Sequence, residues 1–454
     1  MSSTVPPAPP TVAPSPSDPD RLLVRGLGLR QLVATIFNYT VGSGIFALPA
    51  LAVAQLGGAA PLAYLLCAVV MGLVVLVFAE AGSRVSVTGG PYAYVETALG
   101  SFTGFVAGVL LSITDVSAAG AIAMLLASSL ARLLGLSGVL WVDVIVVVLL
   151  AGLATVNIRG VRWGARLVEV STVAKLLPLL FFVAVGAFFV SPANLHWGAT
   201  PTASAVARAA GTLVFAFTGI EAALLPSGEV RDSSRTVPRA ASLALGATTL
   251  LYLAIQAVAL GVMGTALADD RVAPLASAAG TFAGAAGRTL LLAGASISAF
   301  GWLTGSILAG PRALFALARD GFLPRRLTAV HPRYRTPHVA IVSYAVIALA
   351  LALSGTFEQL AVVSNLAALG LYFLAAIAVW QLRRRGVRGE GEPFRMPGGA
   401  AIPVLTCLVV AWVVSQTISR REFVAFAIVL AASAVAYASR RRHVAAASAA
   451  AAAS

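Results

Sequence analysis

Apolar stretches of about twenty residues, the length that crosses a bilayer core, follow one another between residues 32 and 439, and charge is concentrated in the joints between them. Lipid offers no hydrogen bonds, so a chain of this kind can satisfy its backbone only as helices or as a closed barrel. The runs are rich in Ala, Leu, Val and Gly and lack the alternation of a barrel strand. Only 11% of the 454 residues are charged against 59% hydrophobic, and the mean hydropathy is +0.92. An ordinary soluble domain carries about 25% charge. These figures exclude a secreted disulfide scaffold, a disordered chain and a water-soluble enzyme. The expectation is an all-α polytopic membrane protein.

Twelve spans are expected, at roughly 32–56, 59–80, 101–131, 138–157, 166–190, 206–228, 240–266, 288–318, 338–355, 358–382, 400–418 and 423–439. The net charge of +14 comes almost wholly from arginine, since Lys175 is the one lysine. With both termini on the same side, 24 of the 30 arginines fall in segments on that side and six on the other. Positive charge marks the cytoplasmic face, so both ends are expected inside. The basic residues lie in short clusters between spans rather than on a polar surface, which argues against nucleic acid as a partner. Cys67 and Cys407 lie inside apolar runs and support neither a disulfide framework nor a metal site. Residues 1–25 are rich in Pro and Ser without an apolar core and read as a disordered cytoplasmic tail. Residues 441–454 read as a second tail. The abundance of Ala, Arg and Gly beside a single lysine points to a GC-rich bacterial genome and so to the bacterial cell membrane.

Span 1 carries Gly42-Ser43-Gly44 near its middle, followed by Pro49. Each glycine costs a helix interior about 1 kcal/mol. One reading is close packing of helices over small residues. The other is an unwound turn, with Val41 and Gly42 leading into free N–H groups of Ser43, Gly44 and Ile45 at the start of an outer half-helix, suited to a carboxylate. Span 6 has Gly219 in its middle, flanked by Phe215, Phe217 and Thr218, with Glu221 and Pro226 following. Its first half-helix is expected to end near Phe217 and to present carbonyls suited to an ammonium group. A glycine break opening each of two five-span blocks points to an inverted repeat, residues 26–190 and 206–382, with residues 400–440 outside it. Donors at one break and acceptors at the other suit a zwitterion such as an α-amino acid.

Five segments then resemble the amino acid–polyamine–organocation (APC) superfamily over roughly residues 25–440. They are GSGIFALPA at 42–50, TGGPYAYVETALG at 88–100, NIRGVRWGARL at 157–167, FAFTGIEAALLPSGEVRDSSRTVPRA at 215–240, and PRALFALARDGFLP at 311–324 followed by HPRYRTP at 331–337. The resemblance implies a five-plus-five inverted-repeat fold of the leucine-transporter type with helices 1 and 6 broken. It also implies secondary transport of amino acids or related amines by alternating access, with no cofactor.

Ionisable residues at membrane depth are costly and mark function. Lys175 follows Arg166 by nine residues, about 13 Å of helix at 1.5 Å per residue, which places it near the midplane. Similar proton-coupled transporters carry a lysine in span 5 in place of a bound sodium ion, so the resemblance implies proton coupling through Lys175, with Ser296 and Ser298 of span 8 lining that site. A structural pair between Lys175 and Asp115 is the competing reading. Glu221 has three: preference for cationic substrates, a second proton site, or an acceptor for span 1 across the break. Asp115 faces the cavity and favours an amine, serves as a proton site, or is structural. In similar transporters an aromatic at the span 6 break closes over the substrate, which singles out Phe215 or Phe217 and, more weakly, Trp302 of span 8. Arg84, Glu229, Arg235, Arg239 and Asp320 stand at the inner ends of spans, either as ion pairs closing that side or as orientation signals.

The alternatives lack their residues. There is no phosphate-binding GxxxxGK[ST], since the one lysine sits in VAKLLP. No histidine lies deep in a span to serve a serine nucleophile, Asp115 and Asp143 lack a di-aspartyl context, and HExxH is absent. An exchanger of amino acids or polyamines is the second reading within transport, and a non-transporting sensor or membrane subunit the third.

Overall fold

The computed structural model describes residues 28–85, 90–159, 161–198, 200–223, 230, 232–319, 321–389, 392–420, 422–424, 426–435 and 437–438. Both tails, Pro226, Glu229 and Asp320 lie outside the described residues. What is described is almost wholly helical. Six stretches are long and apolar enough to cross a bilayer: Gly44–Arg84, Ser101–Leu133, Val139–Arg159, Ser234–Asp269, Pro274–Arg319 and Phe357–Arg384. Shorter apolar helices stand between and after them.

The first expected span is two helices, α1 (Leu29–Thr40) and α2 (Gly44–Leu56), separated at residues 41–43. Span 2 is α3 (Ala60–Arg84), and a short α4 (Pro91–Leu99) occupies the connection to span 3. Spans 3, 4 and 5 are α5 (Ser101–Leu133), α6 (Val139–Arg159) and α7 (Val161–Gly186). Span 6 is divided into α8 (Ala203–Phe217) and α9 (Ile220–Ala223). Then come α10 (Ser233–Met263), α11 (Pro274–Arg319), α12 (His338–Ser354), α13 (Phe357–Arg384) and α14 (Ala401–Thr417). A last helix, α15, covers Glu422–Val435. The divided helices each open a block of five spans.

The eighth span lies where it is expected, and a further helical segment precedes it. Helix α11 starts at Pro274, folds sharply at Gly284 (φ 60°, ψ −152°), and only then turns into the bundle. The segment Pro274–Ala283 is helical but polar enough in its flanks to read as a loop. Charge sorts the two ends of the bundle. Arg84, Arg159, Arg319 and Arg383 end their helices on one side, the arginine-rich end, and the joints α2–α3, α5–α6 and α10–α11 lie at the opposite end.

Packing follows from side-chain size. Lipid is as apolar as a leucine core, so spans associate where small residues let them approach closely. Helix α5 is lined by Ala118, Ala119, Gly120, Ala121, Ala123 and Ala127, all buried, and it packs on α11, α12 and α13. A β-carbon on Gly120 would stand 3.2 Å from the Ala348 carbonyl of α12. Helix α6 sits at the rim, with Val139, Leu140, Trp141, Val144, Val147 and Val148 exposed to lipid.

At the opposite end, Asp270 ties the α10–α11 connection to the end of α5. Its carboxylate accepts from the Val272 and Ala273 amides at 3.1 Å each, from the Ser277 hydroxyl at 2.6 Å and from Arg132 at 3.2 Å. Burial pushes this carboxyl up, but the Ser277 and Ala273 donors, Arg132 and the Val272 amide outweigh it and hold it below its ordinary value of 3.8. A carboxyl depressed by folding adds stability that is present above its unfolded value and is lost as pH falls through its folded one. Asp270→Asn is therefore expected to lower the melting temperature at neutral pH. The deficit should shrink progressively below about pH 4, where the unfolded carboxyl protonates. Melting curves in detergent over pH 3–7 check this, and a pH-independent deficit would contradict it.

Candidate functional site

The two interruptions meet. Val41 leaves the helical region at φ −77°, ψ 77°, and Gly42 donates to the Thr40 carbonyl at 2.8 Å in a tight turn. In span 6, Thr218 is extended (φ −65°, ψ 155°) and Gly219 has φ +119°, open to glycine alone at low cost. A β-carbon on Gly219 would also stand 2.8 Å from the Tyr39 carbonyl oxygen. Glycine is thus required twice over at this crossing, by its dihedral and by the backbone of α1 beside it.

Each break frees carbonyls at one helix end and amides at the next. The carbonyls are met by side chains from other spans. The Tyr252 hydroxyl of α10 lies 2.9 Å from the Thr40 carbonyl and 2.8 Å from the Ala216 carbonyl, so one phenol reaches both breaks. Lys175 of α7, 2% exposed, donates from Nζ to the Asn38 carbonyl at 2.7 Å. Glu221 accepts from the Gly219 amide at 3.1 Å and from the Tyr372 hydroxyl of α13 at 2.9 Å. Its partners are its own break and span 10, rather than span 1, which is one of the three readings open for it. The first amides of α2, at Gly44 and Ile45, have no partner within their helix, and the Ser43 hydroxyl beside them is buried without one.

Between the breaks, Tyr39, Thr40, Gly42, Ser43, Gly44, Ala118, Ile122, Phe215, Ala216, Thr218 and Trp302 wall an empty volume of ≈ 260 Å³ in which only a water-sized molecule fits. No wall residue carries a charge. Trp302 lies over Gly42, whose β-carbon would stand 3.5 Å from the indole. Phe215 meets Phe357, the first residue of α13, edge to face at 5.6 Å. Of the residues expected to bind substrate, Gly42, Ser43, Gly44, Phe215 and Thr218 reach this wall. Val41, Ile45, Phe217 and Gly219 do not. Phe217 packs edge-on against Tyr252 at 5.0 Å, behind the break.

Asp115 and Lys175 are not a pair. The Asp115 carboxylate accepts from the Tyr344 hydroxyl of α12 at 2.5 Å and from Ser306 of α11 at 3.3 Å, while Ser306 and Tyr344 share a bond of 2.6 Å. Asp115 is one turn from Ala118 on α5, and Ser306 one turn from Trp302 on α11. Both lie toward the arginine-rich end, beneath the pocket rather than on its wall. The Ser296 hydroxyl bonds to the Leu292 carbonyl of its own helix at 2.9 Å, and the Ser298 hydroxyl is buried without a partner. A β-carbon on Gly294 would touch Pro178. Three residues on from Pro178 and four from Gly294, in the same direction, Lys175 and Ser298 stand at one level.

Tyr252, Tyr372 and Tyr344 escaped the sequence reading. Each is a phenol in an apolar span whose partner lies on another span, and nothing in local spacing distinguishes it from a packing aromatic. Of the residues expected to close the inner side, Arg84 does pair, with Glu80 of its own helix at 2.9 Å. Among the described residues no group of metal-ligating side chains comes together.

Two helices broken at one depth around a neutral, half main-chain pocket define a membrane carrier for small polar solutes. The chain belongs to the amino acid permease family, whose model matches residues 27–435, and so to the APC superfamily of amino acid transporters. It is 30% identical to the serine/threonine exchanger SteT of Bacillus subtilis, over 85% of this chain and 89% of that protein. It is 32% identical to an uncharacterized transporter of Mycobacterium tuberculosis over 87% of each chain. The branched-chain amino acid permease BcaP of Bacillus subtilis is 24% identical over 86% of this chain and 87% of that protein. The protein is accordingly a multi-pass membrane transporter of amino acids and not an enzyme.

Removing the Tyr252 hydroxyl leaves the buried Ala216 carbonyl without that donor, at about 1–3 kcal/mol for a buried unsatisfied group, while the Thr40 carbonyl keeps only the Gly42 amide. Tyr252→Phe is expected to melt several degrees below wild type in detergent. An unchanged melting temperature would mean that the hydroxyl does not hold the breaks.

Proposed function

We propose that the protein is a proton-coupled symporter of α-amino acids with short, uncharged side chains, its arginine-rich end and both termini in the cytoplasm. The observation that carries the reading is the pocket itself. Free amides at Gly44 and Ile45 and the Ser43 hydroxyl suit a carboxylate at a helix N-terminus. The Ala216 carbonyl ending α8, which can accept a second bond, and the Thr218 hydroxyl stand on the wall and suit the ammonium group. The uncharged, apolar remainder, from Ala118, Ile122, Phe215 and Trp302, suits a side chain without charge.

Lys175 supports proton coupling through its position. Its ammonium is bonded to the last turn of α1, so the protonated form holds that half-helix by a charge-assisted bond, which loss of the proton weakens. In this reading Glu221 and Asp115 are auxiliary. Glu221 braces the span 6 break, and Asp115 with Tyr344 and Ser306 forms a second buried acid below the pocket. Ser298, level with Lys175, lines the coupling site. The 24 arginines on one side carry the orientation.

Exchange is the second reading, favoured by the similarity to SteT, whose name is that of a serine/threonine exchanger. The two separate in proteoliposomes. In wild type, an inward proton gradient is expected to drive accumulation of a small neutral amino acid such as serine or alanine. Lys175→Ala should abolish that accumulation while substrate still raises the melting temperature by mass action. Gradient-driven uptake unchanged in the variant would remove Lys175 from coupling. Counterflow indifferent to pH in wild type would establish exchange instead. In a melting-temperature panel, larger shifts with arginine or putrescine than with serine would overturn the assignment to uncharged side chains.

A further inference from the structure

The arginine-rich end carries a second charged cluster, away from the pocket. Glu80, one turn before the end of α3, is 0% exposed. Its carboxylate accepts from five N–H groups: Nε and Nη2 of Arg84 at 3.0 and 2.9 Å, Nε and Nη2 of Arg383 from the last turn of α13, and the Met396 amide at 3.0 Å. Arg84 spends its remaining reach on the Val387 carbonyl at 3.0 Å. The Ser83 hydroxyl accepts from the Phe394 amide at 3.0 Å. A β-carbon on Gly389 would stand 3.1 Å from the Ser83 carbonyl oxygen. The connection between α13 and α14 is therefore strapped across the end of α3 at residues 387, 389, 394 and 396.

We infer that Glu80 is the hub of a permanent joint: the inner ends of α3 and α13 and the connection up to Met396 travel as one body through the transport cycle. Two features separate a joint from a latch. The carboxylate is dry and every donor aimed at it is used, so parting the pair would strand a buried charge, the costly outcome for such pairs. The side chains of α3 also hold main-chain groups of the connection at three points, the Val387 carbonyl and the Phe394 and Met396 amides, so parting the joint breaks all of them. By contrast, Arg132–Asp270 and Arg271–Glu358 at the opposite end have partly exposed members, and exposed pairs part at little cost. If α3 and α13 stay joined, the way out at the arginine-rich end must open on the other side of the bundle, past the start of α1. Glu80 is thus a positioning residue for transport, and it touches neither the pocket nor its wall.

The test locks the joint. Ser83→Cys with Phe394→Cys, in a chain with Cys67→Ala and Cys407→Ala, puts one thiol on each of the two segments that the Ser83 hydroxyl and the Phe394 amide now join, to be bridged directly or by a short thiol-reactive cross-linker. Oxidation is expected to cross-link the pair fully, and uptake of serine or whichever amino acid wild type carries should stay within twofold of the reduced protein. Uptake that collapses on oxidation and returns with reductant would overturn the inference, because the contact would then have to open each turn. A pair that fails to cross-link would overturn it too. Glu80→Gln is expected to lower the maximal uptake rate tenfold or more while half-saturation stays within twofold, whereas an unchanged rate would contradict the inference. Uptake by the reduced double-cysteine chain reports on transport itself, so failure of the substrate reading is seen separately.

Discussion

An interrupted helix inside a bilayer must find hydrogen-bond partners for the main-chain groups it frees, because lipid has none to give and each orphan costs several kcal/mol, on the order of a lost buried bond. Here two interruptions share that demand at one crossing point. Tyr252 of span 7 reaches carbonyls of both, Lys175 of span 5 holds Asn38, and Glu221 with Tyr372 of span 10 holds Gly219. The breaks are thus kept open by spans that are themselves unbroken. Satisfaction is also incomplete at the start of α2, where Ser43 and Gly44 stand on the pocket wall and the Ser43 hydroxyl is buried without a protein partner. In the proposed reading a zwitterion completes what the fold leaves undone, and the remaining polar backbone is met by Tyr252, Lys175 and Glu221.

The breaks were legible in the sequence because glycine is expensive in a helix and cheap at positive φ. Gly42-Ser43-Gly44 and Gly219 declare themselves by type, and the end of α8 falls at Phe217 as expected. Lys175 was legible because a lysine in the middle of an apolar span has no ordinary reason to be there. Pairing across spans was not legible. Glu80 stands at the boundary expected for span 2 and reads there as an ordinary helix-end charge, but α3 continues to Arg84 and carries the carboxylate inward. Lys175 and Asp115 look like natural partners by charge, yet they sit on α7 and α5 with different neighbours. Which aromatic faces the pocket is likewise a matter of helix rotation, so Phe215 reaches the wall while Phe217, two residues on, turns behind it to Tyr252.

The chemistry of the pocket wall and that of the bundle ends divide the work. The wall uses main chain, hydroxyls and apolar side chains, whose contacts are individually weak and reform readily, and it is closed to little more than a water. Admitting a solute needs edge contacts such as Phe215–Phe357 to part, and an aromatic pair contributes only about 0.5–1.5 kcal/mol beyond its buried area. The hydrogen bonds that hold the half-helices run instead to rigid spans, so the half-helices can tilt only when one of those bonds is released. Of those holding groups, only Lys175 is a cation, and in the proposed coupling the loss of its proton would leave a neutral amine with a weaker bond to Asn38. A phenol such as Tyr252 keeps its proton across the physiological range, so its bonds brace both breaks continuously. One neutral brace and one charged brace are what the proposed coupling calls for, movement of a half-helix tied to a proton without unravelling the site.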